Sequence, residues 1–173
     1  MKKQPVVVLL LSALCLWTPS LHAASKTATI RSEAFIKDIL EMTVSQSSQS
    51  QLSFGNIAMS STPKEIGPLR VTVKVTSNSG ERYQVTELIS GPLQDANNDQ
   101  IAVENLKFKS ASERSAGTGV SSPMTASNSS QTVFVSDGLG SSDTINVDYT
   151  LTTPADQPPG DYSMTLTYTT SAL

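Results

Sequence analysis

The chain has 173 residues with 12 basic and 15 acidic side chains, a formal charge of -3, and single Cys, His and Trp residues. That length suits one domain, and the absence of a basic excess argues against phosphate neutralisation and hence a nucleic-acid partner. Cys15, Trp17 and His22 all lie within the first 22 residues. If that segment is removed, no thiol or imidazole remains. Disulfides, Ser-His-Asp triads and Cys/His zinc sites are then excluded.

The first 23 residues read as a signal peptide. Lys2 and Lys3 are followed by an apolar run from Val6 to Trp17, a Pro19-Ser20 break and small residues at Ala23 and Ala24. The run is about 12 residues, short of the roughly 20 that span a bilayer. Cleavage after Ala23 or Ala24 leaves 24–173 as a single exported domain bound for the periplasm, cell surface or extracellular space. It carries 10 basic and 15 acidic residues, with no later apolar segment long enough to span a membrane.

In chain order, the mature part reads as strands. Ala28–Ile30 is a weak one. Glu33–Met42 has some helical periodicity, but Leu40, Met42 and Val44 alternate, so a strand is expected over 40–44. Leu52–Ile57 follows. Leu69-Arg70-Val71-Thr72-Val73-Lys74-Val75-Thr76 alternates cleanly, with every apolar residue odd-numbered. Such period-2 alternation gives one buried and one wet face. Ser77-Asn78-Ser79-Gly80 supplies a turn before Arg82–Ile89. Further strands are expected over Ile101–Phe108 and Thr132–Ser136, and clean alternation returns in Ile145–Thr152 and Tyr162–Thr169.

One-sided alternation marks antiparallel sheets, and about eight or nine short strands predict an all-β, immunoglobulin-like antiparallel two-sheet sandwich. Ser and Thr supply 43 of the 150 residues from position 24. Ser110 to Ser130 is richest in them and is expected as a long, exposed, flexible loop, with an edge strand near Val120 as the alternative.

Candidate chemistry is sparse. Asp95, Asn97 and Asp99 sit at positions 1, 3 and 5 of a calcium loop, but Gln100 and Leu106 stand where Gly and a bidentate acid are required. An Asp/Asn turn is the simpler reading. Ser61-Thr62-Pro63-Lys64 has Ser-x-x-Lys spacing with a proline inside it, which disfavours the helix that motif needs. No carboxylate pair stands out. Tyr83, Tyr149, Tyr162 and Tyr168 are in phase with apolar neighbours and are expected in the core. No enzyme activity and no cofactor is expected.

Leu52-Ser53-Phe54-Gly55-Asn56-Ile57 and Pro158-Pro159-Gly160-Asp161-Tyr162, running on to Tyr168, resemble segments near the start and end of secreted bacterial β-sandwich families. These are the spore-coat-U-like and archaic chaperone–usher pilins and the WxL-type surface domains. The chain departs from them in lacking the disulfide of many such pilins and, in the mature part, any Trp. The resemblance implies a fimbrial or cell-surface structural and adhesive subunit. Its partners would be copies of itself or other exported proteins, with a chaperone and usher. The alternative is a monomeric secreted module that binds carbohydrate or protein. In the first case the arm from Ala24 to Ile36 is expected to add as a strand to a neighbouring sheet, with Ile30 as anchor and Ala28 beside it.

Overall fold

The computed structural model describes residues 34, 36–46 and 53–173. The predicted leader, with Ala28 and Ile30, lies outside the described residues. The fold is an all-β antiparallel sandwich. One sheet has five strands in the order β1 (Leu40–Gln46), β3 (Lys64–Ser77), β11 (Asp143–Thr153), β7 (Leu106–Ser112) and β9 (Met124–Thr125). The other has four, in the order β13 (Leu166–Ala172), β4 (Tyr83–Ile89), β10 (Gln131–Ser136) and β8 (Gly117–Gly119). Two small ribbons complete it, β2 (Asn56–Ile57) with β12 (Gly160–Asp161) and β5 (Leu93–Gln94) with β6 (Gln100–Ile101).

Alternation builds the core as expected. Val71, Val73 and Val75 of β3 and Ile145, Val147, Tyr149 and Leu151 of β11 are all buried. The two segments are neighbours in one sheet, with Val73 opposite Ile145 and Val147 opposite Val71. Facing them are Tyr83, Val85 and Ile89 of β4 and Val133 and Phe134 of β10. Outward residues make a polar face. Thr72 Oγ1 donates to Asn146 Oδ1 at 3.0 Å, and Arg70 forks onto Asp148 at 2.7 and 2.9 Å.

Two bulges depart from simple alternation. Leu69 pairs with Tyr149 but Ile66 with Leu151, so β3 holds one extra residue there. Gly67 sits in this bulge at φ +116°, and a Cβ would lie 2.7 Å from the Tyr149 carbonyl oxygen. Only glycine suits both conditions. In β10 the register shifts between Thr132 and Phe134, which turns the consecutive residues Val133 and Phe134 both inward.

Four expected segments differ. Of Leu52–Ile57 only Asn56–Ile57 is a strand, with Ser53–Gly55 outside any strand and Leu52 outside the described residues. Ile101–Phe108 is broken by a 3-10 turn at Val103–Asn105 between β6 and β7. The inward phase changes there from Ile101 and Val103 to Leu106 and Phe108. Tyr162–Thr169 keeps its alternation, but its ladder to β4 begins at Leu166. Ser110 to Ser130, expected as an exposed loop, contains the end of β7, β8 and β9, with Ser110 and Ala126 buried. Hydrogen bonds make this possible in a chain so poor in apolar residues. Ser110 Oγ donates to the Val133 carbonyl and accepts from the Val120 amide, which sews β7 to the opposite sheet's edge.

The strands of longest pairing follow the immunoglobulin scheme. Taken in chain order, β1, β3, β4, β7, β11 and β13 place the first, second, fifth and fourth side by side in one sheet and the sixth beside the third in the other. A seven-stranded domain carries its last strand on the far side of the sixth. That position, beyond β13, is held by no strand among the described residues.

Val73 is fully buried, while Thr72 faces outward. Val73→Asp should cost several kcal/mol or prevent folding, because it buries an unpaired charge. Thr72→Asp should cost no more than about 1 kcal/mol. Urea denaturation of the two variants checks this, and equal losses would contradict the assigned faces.

Candidate functional site: an open seam between the sheets

β1 and β13 are edge strands on the same side of the sandwich, and among the described residues each is paired on one side only, to β3 and to β4. Their inward positions follow from register. Val44 pairs with Val73 and Met42 with Val75, so Leu40, Met42 and Val44 point between the sheets. On β13, Leu166, Tyr168 and Thr170 pair with the buried Ile89, Glu87 and Val85 and point the same way. These inward side chains are nevertheless incompletely covered. Val44 is 44% exposed although its partner Val73 is at 0%. Leu40, Met42, Leu166 and Tyr168 are half-buried against the core. β1 ends opposite Val71, so the edge of β3 from Lys64 to Arg70 has no described strand beside it. Ile66 and Leu69 on that stretch are again half-buried. The result is an apolar seam flanked by two strand edges whose N–H and C=O groups point toward it, the arrangement that accepts an added strand.

At the inner wall of the seam lies a buried acid. Glu87 on β4 is 1% exposed and points into the core in phase with Tyr83, Val85 and Ile89. Tyr149, reaching across from β11, donates its hydroxyl proton to Glu87 Oε2 and is itself hydrogen-bonded to the Tyr168 hydroxyl. The chain from Tyr168 through Tyr149 to Glu87 ties the two sheets together beside the seam. Glu87 Oε1 has no hydrogen-bond partner. Burial pushes the Glu87 carboxyl up to about 7, opposed in part by the Tyr149 hydrogen bond. Burial likewise raises both phenols far above their ordinary range. Burial in this wall thus moves the acid's titration from the ordinary carboxylate range toward neutrality.

Asp95, Asn97 and Asp99, weighed above as a calcium loop against an Asp/Asn turn, form a turn. Asp95 Oδ1 accepts the backbone N–H groups of Asn97 at 2.9 Å and Asp99 at 2.8 Å, and Oδ2 accepts from Asn97 Nδ2 at 3.2 Å. The carboxylate therefore closes the β5–β6 hairpin. No group of three or more His, Cys, Asp or Glu side chains among the described residues is placed to share a metal ion. Tyr83, Tyr149 and Tyr162 are core residues as expected, and Tyr168 is half-buried on the seam. Tyr162 donates to the Pro158 carbonyl at 2.7 Å and accepts from Gln157 Nε2 at 2.8 Å, which fixes the corner leading into β13.

A separate depression of about 650 Å³ lies on the outer side of the larger sheet, against Arg70, Lys109, Asp148 and the β8 segment. The Arg70–Asp148 fork occupies its charged floor, holding the Asp148 carboxyl below its usual range. No aromatic ring lines it.

The carboxyl of Glu87 is raised above its unfolded value, so its contribution to stability is complete below about pH 4.5 and is lost as pH rises through about 7. The loss should reach roughly 3 kcal/mol by pH 8. Glu87→Gln keeps an acceptor for Tyr149 and removes the titration. Urea denaturation at pH 5 and pH 8 should show the natural chain weakening and the variant nearly unchanged. Equal pH dependence in both would contradict this placement of Glu87.

Compared with protein-family models and with curated proteins, the chain matches none. Among the described residues, no helix is long and apolar enough to cross a membrane.

Proposed function

We propose that the chain is an exported, non-enzymatic structural subunit that assembles with further copies by strand addition. The arm from Ala24 to Ile36 of one copy fills the seam of the next. A single observation carries this reading: the inward side chains of β1 and β13 stand half-covered between two strand edges that have no partner among the described residues, with Val44 at 44% exposure. An added strand would satisfy both deficits. Its backbone would bond to an open edge, and alternate side chains would cover Val44, Leu69 and Tyr168.

The occupant is argued from the sequence next to the seam. The arm directly precedes β1 and alternates Ala24, Lys26, Ala28 and Ile30 with Ser and Thr. Ser and Thr suit an exposed outer face, and Ile30 supplies one large apolar side chain for the seam. Export follows from the leader pattern of the first 23 residues, and a fimbrial or surface location from the assembly. A dedicated chaperone would then be required before assembly, because an unfilled apolar seam invites aggregation.

Two measurements test the reading. N-terminal sequencing of the exported product should begin at Ala24 or Ser25. A product that retains Met1 would remove the export step. Deleting residues 24–30 should abolish higher oligomers in size-exclusion chromatography yet leave a folded, protease-resistant domain. Oligomers unchanged by the deletion would exclude the arm as the added strand, and loss of the fold would make it an internal strand of a monomeric module.

A further inference from the structure

The seam and the buried acid meet at one residue. Tyr168 is on the seam-facing side of β13, half-covered, and its hydroxyl is the outer end of the chain that runs through Tyr149 to Glu87. Whatever fills the seam must pack on Tyr168. It thereby removes water from the side of the cluster that is still open. Glu87 is the acid most sensitive to that change, since among the described residues Oε1 lacks a partner and the carboxyl's only side-chain hydrogen bond comes from the Tyr149 phenol. The titratable groups that face it among the described residues are the Tyr149 phenol from β11 and the Tyr168 phenol from β13. On its own strand, its inward neighbours Val85 and Ile89 are apolar. The β10 residue opposite it is Gln131, whose side-chain amide is engaged by Ser127 N–H and the Thr125 carbonyl. Flanking Tyr149 across the ladder are the apolar Phe108 of β7 and Leu69 of β3.

We propose that filling the seam is coupled to proton uptake at Glu87, so that assembly tightens below neutral pH and loosens above it. This rests on the reading of the seam as the acceptor of an added strand and gives that site a regulator. The physical step is solvation. Glu87 is 1% exposed and already out of direct contact with water, so its ionised form is steadied only by the more distant solvent beyond Tyr168, and a strand packed over Tyr168 replaces that solvent with apolar side chains. The neutral acid loses little by the same change. Occupied and empty seams therefore differ in proton affinity, and by linkage the proton concentration changes the affinity for the strand. Because Glu87 titrates near neutrality in the empty state, the coupling acts within the pH range of ordinary surroundings.

The test uses the chain lacking residues 24–30, whose seam no neighbouring arm can fill, after its fold has been confirmed by resistance to protease, and a synthetic peptide of residues 24–33 carrying a fluorophore. Fluorescence anisotropy should give a Kd about tenfold weaker at pH 8.5 than at pH 6.0, the change expected for one unit of difference in proton affinity between the two states. With Glu87→Gln the change should fall below about twofold. Titration calorimetry at pH 7.5 in two buffers of different ionisation enthalpy should show net proton uptake on binding by the chain that keeps Glu87, which decides the matter even if the variant does not fold. Binding that is equally tight at both pH values, with no proton uptake, would overturn the coupling and leave the assembly reading in place. An absence of peptide binding at either pH would remove the assembly reading, and the coupling with it.

Discussion

Two β-sheets without a covalent tie hold together only by what they bury between them, and this chain has no thiol among its described residues to help. Everything else in the structure answers to that constraint. The centre of the sandwich meets it fully: Val73, Val85, Phe134, Ile145 and Leu151 are at 0% exposure. On the β8 and β9 side the requirement is met with polar groups, Ser110 bonding to the opposite sheet's backbone where an apolar residue would otherwise be needed. On the β1 and β13 side it is not met. There the inward residues are present and correctly phased, but no described strand lies across them. Among the described residues the inward side chains along this seam stay half-covered, and an added strand would cover them.

The Glu87–Tyr149–Tyr168 chain is the polar exception within this apolar design. It links the sheets at the level where the β3 bulge at Gly67 bends the strand away from β11's regular register. A phenol-to-carboxyl bond is directional in a way that apolar packing is not, so it fixes how the two sheets lie relative to one another beside the seam. Its cost is a carboxyl oxygen without a partner. The same group that specifies the packing therefore makes the seam's surroundings sensitive to protonation.

Much of this was legible in the sequence, and the failures have physical causes. Clean alternation in 69–76 and 145–152 marked β3 and β11, because strands wet on one face must alternate. The β10 bulge was hidden, since consecutive inward residues such as Val133 and Phe134 carry no period. Ser110 to Ser130 looked like a loop because composition does not distinguish a solvated serine from one that buries itself by bonding across sheets. The acid at the seam did leave a signal. In Tyr83, Val85, Glu87 and Ile89 a carboxyl stands in the phase of the core, and a charge in that phase calls for a buried partner. The partner itself, Tyr149, is 62 residues away and could be found only from the fold.

The account stands or falls on whether the arm of one copy enters the seam of another. The sequence from Ala24 on holds no cysteine, which allows a direct test by introduced cysteines. A chain from Ala24 carrying Ile30→Cys and Val44→Cys should, under mild oxidation, form disulfide-linked ladders on non-reducing gels. A companion with Ile30→Cys and Thr43→Cys, whose second thiol points outward, should form few. Ladders confined to the Val44 pairing are the predicted result. Monomers in both cases, or equal linkage from positions 43 and 44, would contradict strand addition at this seam.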